Sequence, residues 1–111
     1  MKSAVALLTG LGFAFLGSQV MAGDVEAGKS KYDSTCASCH GAKGEGNEVY
    51  PELAGKDASE IAENLALYKA GDKEALKEKG LAGDTYAQMA PNASGLNEGE
   101  MKNLGAYIES L

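Results

Sequence analysis

Cys36-Ala37-Ser38-Cys39-His40 decides how this 111-residue sequence is read, because it holds both cysteines and the sole histidine. On a helix the two thiols fall about one turn apart, near the 3.6-residue repeat, and the imidazole follows at the next position. Three ordinary uses of such a cluster lack their context. A structural zinc site takes about four ligands, and the chain has two Cys and one His in total. A thioredoxin-like dithiol expects a preceding βαβ pattern, which the flanking sequence does not offer. A disulfide across so short a loop removes little entropy from the unfolded chain and is a poor staple.

What remains is the C-x-x-C-H signature of haem c attachment. Two thiols one turn apart can add to the two vinyl groups of one haem, and the next residue then brings its imidazole under the iron. Cys36 and Cys39 are accordingly the expected covalent anchors, and His40 the expected proximal ligand. With no other histidine, bis-histidine ligation within one chain is excluded and methionine is the natural second axial ligand. Beyond residue 22 the methionines are Met89 and Met101. Met101 falls on the apolar face of a helix, where methionine ordinarily packs. Met89 precedes Pro91 in a stretch that reads as loop, where backbone can be shaped to present a thioether, so Met89 is the expected ligand.

Working outward, Asp24 can cap a first helix in which Val25, Gly28 and Tyr32 share a face and which leads into Cys36. From Gly41 to Gly55, the breakers Gly41, Gly44, Gly46, Asn47 and Pro51 predict loop. Asp57 and Glu60 have capping-box spacing ahead of an apolar face of Ile61, Leu65 and Tyr68, and Gly71 stops that helix. Asp72 to Lys79 allows a short charged helical turn, and Gly80 to Gly95 returns to loop. Lys69, Lys73, Lys77 and Lys79 cluster here among Asp72, Glu74 and Glu78, the pattern of a solvated face rather than a docking patch. In the last helix Asn97 and Glu100 have capping-box spacing, and Leu96 and Met101 occupy the two positions of a hydrophobic staple. Its buried face is expected to be Met101, Leu104, Ile108 and Leu111, with Tyr107 at the margin. The sum is an all-α domain of three main helices plus short helical turns, without internal repeats.

The first 22 residues read as a cleaved secretory signal. Lys2 supplies a positive start, Ala4 to Leu16 an apolar stretch of 13 residues, and Val20-Met21-Ala22 small residues at the cleavage positions. A bilayer core asks for about 20 apolar residues in a helix, and Gly10, Gly12 and Gly17 weaken this segment further, so no permanent membrane anchor is expected. Cleavage after Ala22 leaves 23–111, a single domain of 89 residues, a size at which side chains alone build a marginal core. Both Phe lie in the signal and there is no Trp, so five Tyr provide the aromatic bulk of the domain, and a large bound apolar group would complete it. Nine lysines, no arginine and sixteen acids give that domain a net charge of −7, which argues against nucleic acid as a partner.

These residues together resemble the class I monohaem c-type cytochromes, small periplasmic electron carriers of bacteria of the c-553 kind, over essentially all of 23–111. Family members carry an aromatic four residues and a glycine eight residues before the first haem-binding cysteine, which Tyr32 and Gly28 match. They meet a C-terminal helix at a leucine and an aromatic three apart, which Leu104 and Tyr107 match. A proline whose carbonyl accepts the N–H of the proximal histidine is matched by Pro51, and a Met-x-Pro in the distal loop by Met89-Ala90-Pro91. The resemblance implies the cytochrome c fold wrapped around one covalent haem c, with His40 and Met89 as axial ligands. It implies an electron carrier and not an enzyme, in the periplasm and monomeric. Its partners would be larger redox proteins, such as a quinol:cytochrome c oxidoreductase and a terminal oxidase or reductase of a respiratory or photosynthetic chain. The alternative is a five-coordinate haem sensor or peroxidase-type protein in which Met89 does not bind. The acidic surface further implies charge-steered encounters that slow as salt rises.

Overall fold

Asp24 opens the first helix: its carboxylate accepts the N–H groups of Glu26 and Ala27, and α1 runs Val25–Thr35. The computed structural model describes residues 23–111, so the expected export signal, 1–22, lies outside the described residues. After α1 come α2 (Ala37–His40), α3 (Ala58–Ala70), α4 (Lys73–Glu78), α5 (Tyr86–Ser94) and α6 (Glu98–Glu109), so the described residues are all-helical, with no strand among them. Asp57 caps α3 by accepting the N–H groups of Ser59 and Glu60, and Gly71 ends it in the left-handed conformation. At α6 the capping box is closed on both sides: Asn97 Oδ1 accepts the Glu100 N–H at 2.8 Å, and Glu100 Oε1 accepts the Asn97 N–H at 2.9 Å.

Helix α6 is the hub. It packs against α1 on one side and α3 on another, and α3 in turn packs on α5. The α1–α6 crossing is possible because residue 28 is glycine: a Cβ there would run into the Asn103 carbonyl and come within 2.9 Å of Tyr107 Cβ. One turn further along α1, the Tyr32 ring packs against Tyr107 as a tilted pair, 5.4 Å between ring centroids and 54° between planes. The Tyr32 hydroxyl donates to the Gly41 carbonyl at 2.6 Å, anchoring the start of the loop that follows α2. Burial first, and then the nearby Cys36, Glu45 and Tyr107, push the Tyr32 hydroxyl up to about 12, so it stays a donor. Ile61 and Leu65 of α3 and Leu104 and Ile108 of α6 complete the core.

The structure departs from the sequence reading at several positions. Val25 is 44% exposed and Leu111 39% exposed, since the first begins α1 and the second lies past the end of α6. Tyr107 belongs to the core rather than its margin, because Gly28 lets α1 approach that side of α6. Leu76 gives the charged α4 a fully buried anchor. The largest departure is α5, which occupies a stretch expected to be loop. Pro91 removes one N–H from this helix, a cost of about 3 kcal/mol in an isolated one. Ala87, Gln88, Met89 and Ala90 are good helix formers, however, and packing against α3 with Ala93 fully buried outweighs the proline.

Candidate cofactor site

The helix of residues 25–40 is interrupted once, at Cys36. Its N–H still bonds the Tyr32 carbonyl at 2.8 Å, while its own carbonyl accepts from Cys39 at 3.2 Å and His40 at 3.0 Å. That tight turn brings Cys36, Cys39 and His40 onto the wall of one cavity. The two cysteines are not bonded to each other. Cys36 is 9% exposed, and burial first, with Cys39 adding and Lys31 opposing, pushes its thiol up to about 11. A thiol so placed is protonated at neutral pH and a poor nucleophile. Among the described residues no group of three or more Cys, His, Asp or Glu is arranged to hold a metal ion by itself.

His40 is 8% exposed, and its Nδ1 lies 3.0 Å from the Pro51 carbonyl. A carbonyl only accepts, so this bond requires the proton on Nδ1 and leaves the Nε2 lone pair available for a metal. The loop is folded to make that contact. The Gly46 N–H bonds the His40 carbonyl at 2.7 Å, and the Leu53 and Ala54 N–H groups both return to the Gly44 carbonyl. Gly46 has φ +67°, and a Cβ there would meet the Pro51 carbonyl carbon at 2.6 Å, so the loop closes on itself only through glycine. Asn47 Oδ1 then accepts the N–H groups of Val49 and Tyr50, fixing the residues just before Pro51.

The cavity measures about 410 Å³. Leu53, Ile61, Leu65, Leu104 and Ile108 give it apolar walls, and it lies within the size range of pockets that bury a cofactor. Two thiols and one imidazole on a largely apolar wall are the donor set a covalent haem requires, and the residues present fit that group. Met89, on α5, also lines the cavity and is partly buried against the core. Met101 is 7% exposed inside the core and is not on the cavity wall. Helical placement therefore leaves Met89 facing the same space as His40, although the loop expected around it is a helix. Sequence reasoning missed Tyr50 and Gln88, which also line the cavity and whose side chains join at 2.5 Å. Their adjacency to Pro51 and Met89 was the available signal.

Comparisons with known proteins bear on the family and the fold. The family model described as Cytochrome c matches residues 25–111. The chain is 50% identical over 90 residues to cytochrome c-554(547) of Halothiobacillus neapolitanus, covering 81% of this chain and 99% of that one. It is 33% identical over 90 residues to cytochrome c-554(548) of Halomonas halodenitrificans, covering 80% and 98%. Among solved structures, reduced recombinant cytochrome c4 from Pseudomonas stutzeri superposes with a TM-score of 0.62 at 24% identity. That match covers 81% of this chain and 52% of the other, about half its length, and bears on the fold.

Proposed function

The chain belongs to the cytochrome c family, an electron-transfer family whose haem c is covalently bound, and from that premise we propose that it is a monohaem, His/Met-ligated carrier of the periplasm. Residues 1–22 act as its cleaved export signal and 23–111 as the working domain. The observation that carries the ligand assignment is that one apolar cavity collects Cys36, Cys39, His40 and Met89, while Met101 lies apart in the core. The haem, when bound, supplies a one-electron couple at its iron.

Each residue has a definable task. Cys36 and Cys39 tether the group as thioethers. His40 presents Nε2 to the iron while the Pro51 carbonyl holds the Nδ1 proton, which fixes the ring and makes the ligand more basic. Met89 offers a thioether, a ligand that favours the reduced iron and so raises the potential. Apolar walls keep water out, penalising the extra charge of the oxidised state. If His40 and Met89 both hold the iron, no site would be left for oxygen or peroxide chemistry, and outer-sphere transfer to larger redox proteins through a small, wet interface would be the remaining function. Among the described residues no helix is long and apolar enough to cross a membrane.

Absorption spectra of protein expressed with a haem-attachment system test this. The oxidised wild type and Met101→Leu should show the weak far-red methionine-to-ferric-iron band, and Met89→Ala should lose it. A high-spin wild-type spectrum that responds to carbon monoxide would favour a sensor or peroxidase-type protein instead.

A further inference from the structure

Tyr50 and Gln88 are 38 positions apart in the chain, yet the Tyr50 hydroxyl donates to Gln88 Oε1 at 2.5 Å, and both side chains line the cavity. Each sits beside a proposed ligand-bearing element. Tyr50 is bonded to Pro51, whose carbonyl holds His40, and its ring lies 6.2 Å from the imidazole. It cannot drift from that loop, because Asn47 holds its N–H at 2.9 Å and the Asn47 N–H returns to the Tyr50 carbonyl at 2.8 Å. Gln88 immediately precedes Met89.

The opposite arm needs such a tie. Pro91 has no N–H to give the Ala87 carbonyl, so α5 lacks one internal bond just where Gln88 and Met89 sit. The buried anchor of the helix, Ala93, lies beyond the proline. Tyr86 packs this half of α5 against Tyr68 of α3 at 5.9 Å between ring centroids, and Asn92 Nδ2 donates to the Gln88 carbonyl at 2.8 Å, but neither contact reaches the His40 loop; the Tyr50 hydroxyl is the side-chain hydrogen bond that does.

We propose that Tyr50 and Gln88 are positioning residues, a clasp across the cavity that holds Met89 within reach of the iron by tying α5 to the loop that fixes His40. The proposal rests on the His40/Met89 ligand assignment above. The clasp opposes release of Met89, so its removal should ease displacement of that ligand while leaving His40 in place.

Imidazole titration of the oxidised holoprotein, followed by loss of the far-red band, reads this directly, since imidazole binds where Met89 has let go. Tyr50→Phe and Gln88→Leu should each raise the apparent imidazole affinity about two- to fivefold, the effect of one net hydrogen bond open to water. The double variant should go no further than the larger single, and Gln88→Glu, which keeps an acceptor, should behave as wild type. In a Met89→Ala background, where the far-red band is already gone and imidazole binding is followed by the shift of the main haem absorption band, Tyr50→Phe should change nothing, which a general loosening of the fold would not reproduce. Unchanged affinity in both single variants, or an equal effect in the Met89→Ala background, overturns the clasp. Absence of the far-red band from the wild type overturns the ligand assignment and the clasp with it.

Discussion

An alanine at position 28 would drive its methyl group into the Asn103 carbonyl and against Tyr107 Cβ. Glycine to alanine inside a helix ordinarily stabilises by up to about 1 kcal/mol. Here the sign reverses, because backbone and not a movable side chain meets the new atom, and overpacking of this kind costs about 1–3 kcal/mol. Thermal unfolding of Gly28→Ala should show a lower Tm than wild type, whereas Gly83→Ala, with open space around it, should not. At this scale the sequence was most legible where one residue type answers one need. The cysteine pair and His40 could be read because their spacing is itself the chemistry, and Gly28 because close approach excludes any side chain. Tyr50 and Gln88 offered only their adjacency to Pro51 and Met89, since a tyrosine and a glutamine carry no spacing rule and meet through tertiary structure alone.

The start of α6 is held by two reciprocal bonds, and the Glu100 carboxylate also pairs with Lys31 at 3.3 Å, tying the cap to α1. Asn97→Ala should cost about 1 kcal/mol in a denaturant titration. The Asn97 N–H first, and then the Lys31 ammonium, hold the Glu100 carboxyl below its ordinary value of 4.5. A carboxyl depressed in the folded state stabilises fully above its unfolded value and progressively less as pH falls through the folded one. The Tm difference between wild type and Glu100→Ala should therefore be steady at neutral pH and close as the pH drops below 4.5. Helices α1, α3 and α6 could be read from caps and apolar spacing because those signals are local. Helix α5 could not: Pro91 is a local breaker, and what overrides it is contact with α3 from residues more than twenty positions earlier.

Considered as a whole, the 89 described residues pack around a cavity of about 410 Å³. The cavity opens to solvent, so without a bound group water meets its apolar walls in place of apolar contacts. The entire stability of a domain this size is roughly 4 to 13 kcal/mol. If Cys36, Cys39 and His40 hold the haem as proposed, a Cys36→Ser/Cys39→Ser/His40→Ala variant should lose much of its far-UV helical signal at 25 °C, and retention of native-like helicity would show that the helices close without the bound group. Composition hinted at this, with no Trp and no Phe after residue 22, but which walls the filler touches emerged from tertiary packing. The α1–α6 contact has a further consequence, in time rather than in space. Its two halves lie at opposite ends of the domain, and Tyr107 covers Tyr32 only after the last turn has been delivered. In a chain synthesised N-terminus first, Cys36 and Cys39 are made while the 70 residues from His40 to Glu109 are still to come, on the order of 4 to 14 s at the pace of synthesis. Leu104 and Ile108, the walls that α6 gives the cavity, are therefore among the last parts of the site to arrive, well after both thiols are available for reaction.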